Sequence, residues 1–85
     1  MFRIWAKVLK EEHIQNQFVY ESNKKFTYSN FFDYLSDICV ELDIPTPVLL
    51  KPHIMNFAKF KHTVFLPRDF LESVEFDKLL LENIS

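Results

Sequence analysis

Residues 30–42, NFFDYLSDICVEL, predict the helix around which the rest of the chain folds. Asn30 is the expected N-cap, and Ile44-Pro45 is expected to stop the helix because proline pushes the residue before it out of helical geometry. A helix this short is only marginally stable alone, so its apolar face must pack on another part of the chain. That face has the three- and four-residue spacing of an amphipathic helix and contains Phe31, Tyr34, Leu35, Ile38, Cys39 and Leu42.

The length and composition indicate one small domain over residues 1–85. Ten Phe, three Tyr and one Trp supply a large apolar area for a core of this size. Either these aromatic side chains all fill the core, or some of them are exposed and mark an interface. We favour the core for most of them.

Glycine is absent from the sequence, which argues against nucleotide-binding sites. Loops that cradle phosphates and turns that bind dinucleotides need glycine, because the backbone must approach the ligand closely. Turns that require a left-handed residue must then use Asn, Asp or Lys. We expect Asn23, in the polar loop at residues 22–25, to have a positive φ.

Cys39 is the only cysteine and falls on the apolar helix face, so it cannot form an internal disulfide. A reduced core cysteine is typical of a cytoplasmic protein. We expect no signal peptide and no membrane span, which would need roughly twenty apolar residues. The formal net charge of −2 gives no general attraction to nucleic acid or to anionic membranes.

The segment before the helix predicts a β-hairpin. Phe2, Ile4, Ala6 and Val8 alternate with Arg3, Trp5, Lys7 and Leu9, which is the period of a half-buried strand. Trp5 lies on the side of Arg3 and Lys7, where it either packs under their aliphatic stems or is exposed as an anchor. Residues 10–13 are expected to turn, and residues 14–21 predict the second strand.

The segment after the helix predicts a stiff connection, a second helix and further strands. Two prolines within residues 43–47 favour extended backbone, and Pro52 is expected as the first residue of the second helix. Residues 63–66 are β-prone and end at Pro67. The tail fits either a helix through Leu71, Val74 and Leu81 or a strand, and we predict a strand over roughly 75–82.

These elements predict a two-layer α+β fold. The antiparallel sheet combines the N-terminal hairpin with one or two C-terminal strands, and it packs on the central helix with a second short helix beside the 51–68 segment.

The run ICVELDIPTPVLLKPHIMNFAKFKHTVFLPRDFLESVEFD, at residues 38–77, resembles a family of short uncharacterised bacterial proteins. The shared features are a helix that ends in an ELDIP-like segment, a following stretch with histidine and phenylalanines, and a closing segment with Asp69-Phe70 and Phe76-Asp77. The resemblance covers about half the chain. It implies one domain with an extended last segment, and it carries no activity or functional residue.

Charged residues are distributed in blocks. Residues 29–44 contain four acids and no Lys or Arg, whereas residues 45–68 contain no acid and four cations, Lys51, Lys59, Lys61 and Arg68. Phe57, Phe60 and Phe65 lie among these cations, and interleaved basic and aromatic side chains are typical of single-stranded nucleic acid binding. Alternatively, Phe57 and Phe65 belong to the core and the cations are solvated. We favour this second interpretation, because four charges are few.

No catalytic, cofactor or metal site is predicted. His13, His53 and His62 lack a metal-binding spacing with Cys39 or Asp69. A nucleophilic cysteine would need an exposed thiolate beside a base, which its place on the apolar face does not favour.

The sequence therefore predicts a non-enzymatic cytoplasmic interaction module that binds a protein partner or self-associates, with Trp5 and Phe60 as its exposed anchors. The alternative is single-stranded nucleic acid binding through Lys51, Lys59, Lys61 and Arg68. No membrane association is expected.

Overall fold

The computed structural model describes residues 1–85 and contains four strands, two α-helices and one short 3-10 turn. The elements follow each other in the order β1 (Phe2–Lys10), β2 (His13–Ser22), α1 (Tyr28–Leu42), α2 (Lys51–Phe60), β3 (His62–Phe65), the 3-10 turn (Pro67–Asp69) and β4 (Lys78–Asn83). The four strands form one antiparallel sheet in the order β2-β1-β4-β3. The predicted α+β architecture, with an antiparallel sheet packed on the helices, is confirmed.

The hairpin between β1 and β2 closes through a two-residue turn. Lys10 pairs with His13, and the two residues between them, Glu11 and Glu12, have φ angles of 53° and 66°. Positive φ at both central positions matches the right-handed twist of a hairpin, and Asn-Gly is the usual choice. The prediction for Asn23 was wrong, because the positive φ angles lie at these two glutamates, at Asp43 and at Lys61.

The N-cap of helix α1 lies three residues before the predicted one, and the helix begins at Tyr28. Thr27, not Asn30, caps it, and the Thr27 side chain accepts a hydrogen bond from the Asn30 N–H at 3.2 Å. The helix ends at Leu42 as expected, but through a left-handed Asp43 whose N–H and that of Ile44 bond back to the carbonyls of Val40 and Cys39. These two hydrogen bonds satisfy backbone carbonyls that the helix end would otherwise leave unpaired.

Helix α2 begins at Lys51, so Pro52 is its second residue and not its first. Strand β4 begins at Lys78, three residues after the predicted start, and the helical alternative for the tail is wrong. Residues 70–77 contain no helix or strand. Phe70 and Phe76 of this segment are buried and contact each other edge to face at 5.3 Å.

Both helices pack on one face of the sheet, and the core lies between the two layers. Strand β1 directs Phe2, Ile4, Ala6 and Val8 into this core, and the other strands add Phe65, Leu79 and Leu81. They meet the predicted apolar face of α1 and Phe57 of α2 in one cluster of 16 buried residues. No helix of the chain is both long enough and apolar enough to cross a bilayer.

Candidate functional site: the open face of the sheet

The second face of the sheet is not covered by either helix, and we call it the open face. The strand registers place on it every other residue of each strand. Its members are Arg3, Trp5, Lys7 and Leu9 of β1, Ile14, Gln17, Val19 and Glu21 of β2, Lys78, Leu80 and Glu82 of β4, and His62 and Val64 of β3.

Trp5 lies near the middle of the open face and is half-buried. Its indole Nε1 donates a hydrogen bond to Gln17 Oε1 at 3.0 Å. The Lys7 ammonium lies 3.9 Å from the ring centroid, within the range of a cation–π contact, and it also forms an ion pair with Glu82. Trp5 therefore packs beside Lys7 and is only partly exposed, less than an exposed anchor was expected to be.

The open face alternates between apolar and charged groups. Trp5 pairs with Val19 across β1 and β2, and Leu80 pairs with Val64 across β4 and β3. These two apolar pairs lie in neighbouring rows, since Trp5 faces Glu82 and Leu80 faces Lys7, and we call the four residues together the apolar band. The Lys7–Glu82 ion pair crosses the band between Trp5 and Leu80. The Arg3–Glu21 ion pair, at 3.1 Å, flanks this band. Because both partners are half exposed, the pair adds only about 0–1 kcal/mol and mainly balances charge.

Phe60, the second predicted anchor, lies at the end of α2 and is 55% exposed. It lines a shallow depression with His62, Val64 and Leu80, so it borders the open face on the side of β3. Two strand spacings, about 10 Å, separate β1 from β3. One ligand of ordinary size can therefore contact both Trp5 and Phe60.

The four cations of the 45–68 block do not form one surface. Lys51 is the first residue of α2 and Lys59 the ninth, so their backbones are about 12 Å apart along the helix. Arg68 belongs to the 3-10 turn. Only Lys59 and Lys61 lie beside Phe60, with the Lys59 Nζ 5.4 Å from its ring centroid.

The aromatic residues of this block separate into core and surface. Phe57 and Phe65 are buried, at 1% and 0% exposed, so Phe60 alone among the three can stack on a base. This arrangement agrees with the interpretation in which Phe57 and Phe65 belong to the core.

His53 and Asp69 form a clamp between the start of α2 and the 3-10 turn. His53 Nδ1 accepts a hydrogen bond from the Leu50 N–H at 3.0 Å, and Nε2 lies 3.5 Å from Asp69 Oδ2. The same Asp69 oxygen accepts the Leu66 N–H at 2.8 Å, and the imidazole stacks on Phe65 with centroids 4.3 Å apart. Both ring nitrogens of His53 are thus used in structural contacts.

The remaining candidates for chemistry lie apart. His13 and His62 are exposed at different places in the sheet, and no group of three or more His, Cys, Asp or Glu side chains is arranged to hold a metal ion. Cys39 is fully buried, and this burial raises the pKa of its thiol to about 11. The side chain is therefore a neutral thiol at physiological pH.

An apolar depression on the helical side of the molecule was not predicted from the sequence. Tyr28, Ile54 and Met55 line it together with Lys51, and Phe32 is exposed one helical turn beyond Tyr28. The available signal was that Tyr28 and Phe32 are four residues apart but outside the apolar face of α1.

Comparison of the chain with protein-family models, with curated proteins and with solved structures gives no significant match, so the resemblance to the ELDIP-like bacterial family stays a prediction.

Proposed function

We propose that this chain is a non-enzymatic interaction module that binds protein through the open face and the free edges of its sheet. The observation that supports it best is the position of Trp5, a half-buried tryptophan at the centre of a sheet face that no element of the chain covers. Tryptophan is enriched among the residues that contribute most to binding in protein interfaces, because it supplies a large rigid surface and one polar N–H.

The surroundings of Trp5 support the same proposal. The apolar band formed with Val19, Leu80 and Val64 would supply the apolar part of a contact. The Arg3–Glu21 pair would belong to its polar rim, and the Lys7–Glu82 pair, between Trp5 and Leu80, would be a charged contact inside it. Specific interfaces combine apolar contacts with polar and charged ones in this way.

The non-enzymatic part of the proposal rests on the state of the reactive side chains. His53 uses both nitrogens in the clamp, and the buried Cys39 thiol is held neutral. A general base needs a free lone pair, which His53 lacks, and a nucleophile needs access to substrate, which the buried Cys39 lacks. A reduced, buried cysteine also suits the cytoplasm, which we propose as the location.

The test is capture of partners with the purified, tagged protein and with variants of the open face. We expect Trp5→Ser and Val64→Ser to lose a partner, or self-association, that the wild type retains. Leu71→Ser is the matched control, since this leucine is exposed and lies in the tail outside the open face. The proposal fails if the wild type stays monomeric and captures nothing, or if all variants behave alike.

A second candidate function is single-stranded nucleic acid binding, favoured by the stacking of Lys59 on Phe60 next to Lys61. A base that stacks on Phe60 would bring its phosphates beside these lysines. The test is fluorescence anisotropy of a labelled single-stranded oligonucleotide at low salt. We expect Lys59→Glu/Lys61→Glu to abolish binding and Lys51→Glu/Arg68→Glu to retain it. No binding by the wild type removes this candidate.

A further inference from the structure

We infer that two copies of this chain pair antiparallel along the straight part of their β2 strands, from Asn16 to Ser22. The inference rests on the proposed function, since it names the partner as a second copy and the contact as one edge of the same sheet.

The edge of β2 offers unpaired backbone groups. The Ile84 N–H donates to the carbonyl of Arg3 at 3.1 Å, so Arg3 directs its backbone groups toward the β4 side of β1 and away from β2. Because this direction alternates along an antiparallel strand, the other odd-numbered residues of β1 do the same. Their partners in β2, which are Gln17, Val19 and Glu21, therefore direct their N–H and C=O groups to the free edge.

This edge lacks most of the features that keep strands from pairing with other chains. Strand β2 spans ten residues, contains no proline and no lysine, and carries Glu21 as its single acidic residue. The opposite edge of the sheet, β3, has four residues. One protecting feature is present, a bulge at Gln15 near the hairpin turn. The straight part of the edge, from Asn16 to Ser22, is left available.

The charges at the two ends of β2 are complementary. The turn that precedes the strand carries Glu11 and Glu12, and the loop that follows it carries Lys24 and Lys25. All four side chains are exposed and none takes part in an ion pair within the chain. Antiparallel pairing of two copies brings each acidic end to a basic end.

The end of α1 adds to the acidic end of the strand. Asn16 of β2 donates a side-chain hydrogen bond to the Leu42 carbonyl at 3.4 Å, which places the exposed Glu41 and Asp43 near the hairpin. On the same helix, Asp37 accepts a hydrogen bond from the Tyr20 hydroxyl. The carboxylate of Asp37 therefore lies over β2. In the dimer the two Asp37 carboxylates repel each other, so the attraction between the acidic and basic ends of the strands has to outweigh this repulsion.

The unpaired backbone groups restrict the register of this pairing. Hydrogen-bonded pairing needs outward-facing residues opposite each other, so Gln17, Val19 or Glu21 of one copy must face one of the same three residues of the other. With the two-fold axis near Val19, the straight segments from Asn16 to Ser22 overlap over their whole length, and the glutamate turn of each copy lies beside the lysine loop of the other.

The resulting dimer has a continuous eight-stranded sheet. Residues that face each other in an antiparallel pair lie on the same face, so all four helices cover one face and the two open faces join on the other. The two Trp5 side chains then belong to one extended surface.

The test uses two variants that are each self-repelling but complementary to one another. Glu11→Lys/Glu12→Lys makes both ends of β2 basic, and Lys24→Glu/Lys25→Glu makes both ends acidic. Sedimentation at low salt measures the dissociation constant of the dimer. We expect each variant alone to weaken dimerisation at least about tenfold, and an equimolar mixture to form a heterodimer about as strong as the wild-type dimer.

Val19→Pro is a second variant that blocks the edge without removing a bond of the β1–β2 ladder, since the Val19 N–H faces outward. We expect a folded monomer by circular dichroism and sedimentation. A wild type that is monomeric at millimolar concentration overturns the inference, as does a mixture that does not associate. If such a monomer still captures a partner that Trp5→Ser loses, the β2 dimer is wrong and the proposed function stands.

Discussion

At the scale of single residues, the alternation of β1 identified the side of each residue, including Trp5 beside Arg3 and Lys7. The left-handed positions could not be identified in the same way. Glu11 and Glu12 adopt positive φ because the strands they join twist and the register allows only two residues between them. Residue preference pointed instead to Asn23, because the propensity scale contains no information about strand register.

Thr63 is a buried polar residue with an unsatisfied hydroxyl. It is 2% exposed, and its Oγ1 has no hydrogen-bond partner. Thr63→Val replaces this hydroxyl by a methyl group of similar size, so we expect the free energy of unfolding to rise by about 1 kcal/mol. Urea denaturation at neutral pH measures the change.

Thr27→Val is the matched control, because the same chemical change removes the N-cap of α1. It should lower the free energy of unfolding by about 1 kcal/mol. Equal effects at the two positions would contradict the assigned surroundings of Thr63.

Cys39 predicts a dependence of stability on alkaline pH. Burial raises its pKa from the ordinary 9.0 to about 11 in the folded protein. Between these values the unfolded chain loses the thiol proton while the folded chain keeps it, so the free energy of unfolding falls as pH rises from about 9 to about 11. The expected loss is on the order of 2–3 kcal/mol.

The measurement compares urea denaturation of wild type and Cys39→Ala at pH 8 and pH 10.5. Ionisation of Tyr20, whose pKa burial also raises, affects both proteins, so the difference between their pH slopes isolates Cys39. The variant is expected to have the shallower slope. Identical slopes would show that the thiol is not desolvated.

At the scale of elements, the centre of α1 was predictable and its start was not. The apolar spacing from Phe31 to Leu42 fits only a helix with that one apolar face, whereas Thr27 and Asn30 are both good capping residues. Packing of Phe26 on Phe31, at 5.6 Å between ring centroids, favours the earlier start.

The start of strand β4 was predicted too early for another reason, since Leu79, Leu80 and Leu81 show no alternation between apolar and polar residues. Leu80 lies in the apolar band of the open face while its neighbours enter the core.

The clamp between α2 and the 3-10 turn predicts a local loss of stability. Asp69→Ala removes the acceptor of the Leu66 N–H and the contact with His53, so we expect the free energy of unfolding to fall by about 1–3 kcal/mol. Arg68→Ala, at the exposed preceding position, should change it by less than about 0.5 kcal/mol. Thermal and urea denaturation of both variants check the difference. Two variants of equal stability would show that the clamp contributes nothing.

At the scale of the whole molecule, the sequence pattern predicted two layers but not the order of the strands. Hairpin pairing of β1 with β2 follows from their short connection, whereas the place of β4 between β1 and β3 depends on long-range packing. The open face depends on that order, because the apolar band joins residues of all four strands. This is why the surface on which both residues lie could not be predicted. Phe60 is exposed as expected and Trp5 is only partly exposed, and their role as anchors stays a prediction.

The central claim is that both helices cover one face of the sheet and leave Trp5 on the other. Nuclear Overhauser contacts of the Trp5 indole ring, the only tryptophan of the chain, test it most directly. We predict contacts from this ring to Lys7, Gln17 and Val19 and none to residues 28–42 or 51–60. Contacts between the indole ring and side chains of either helix would contradict the account.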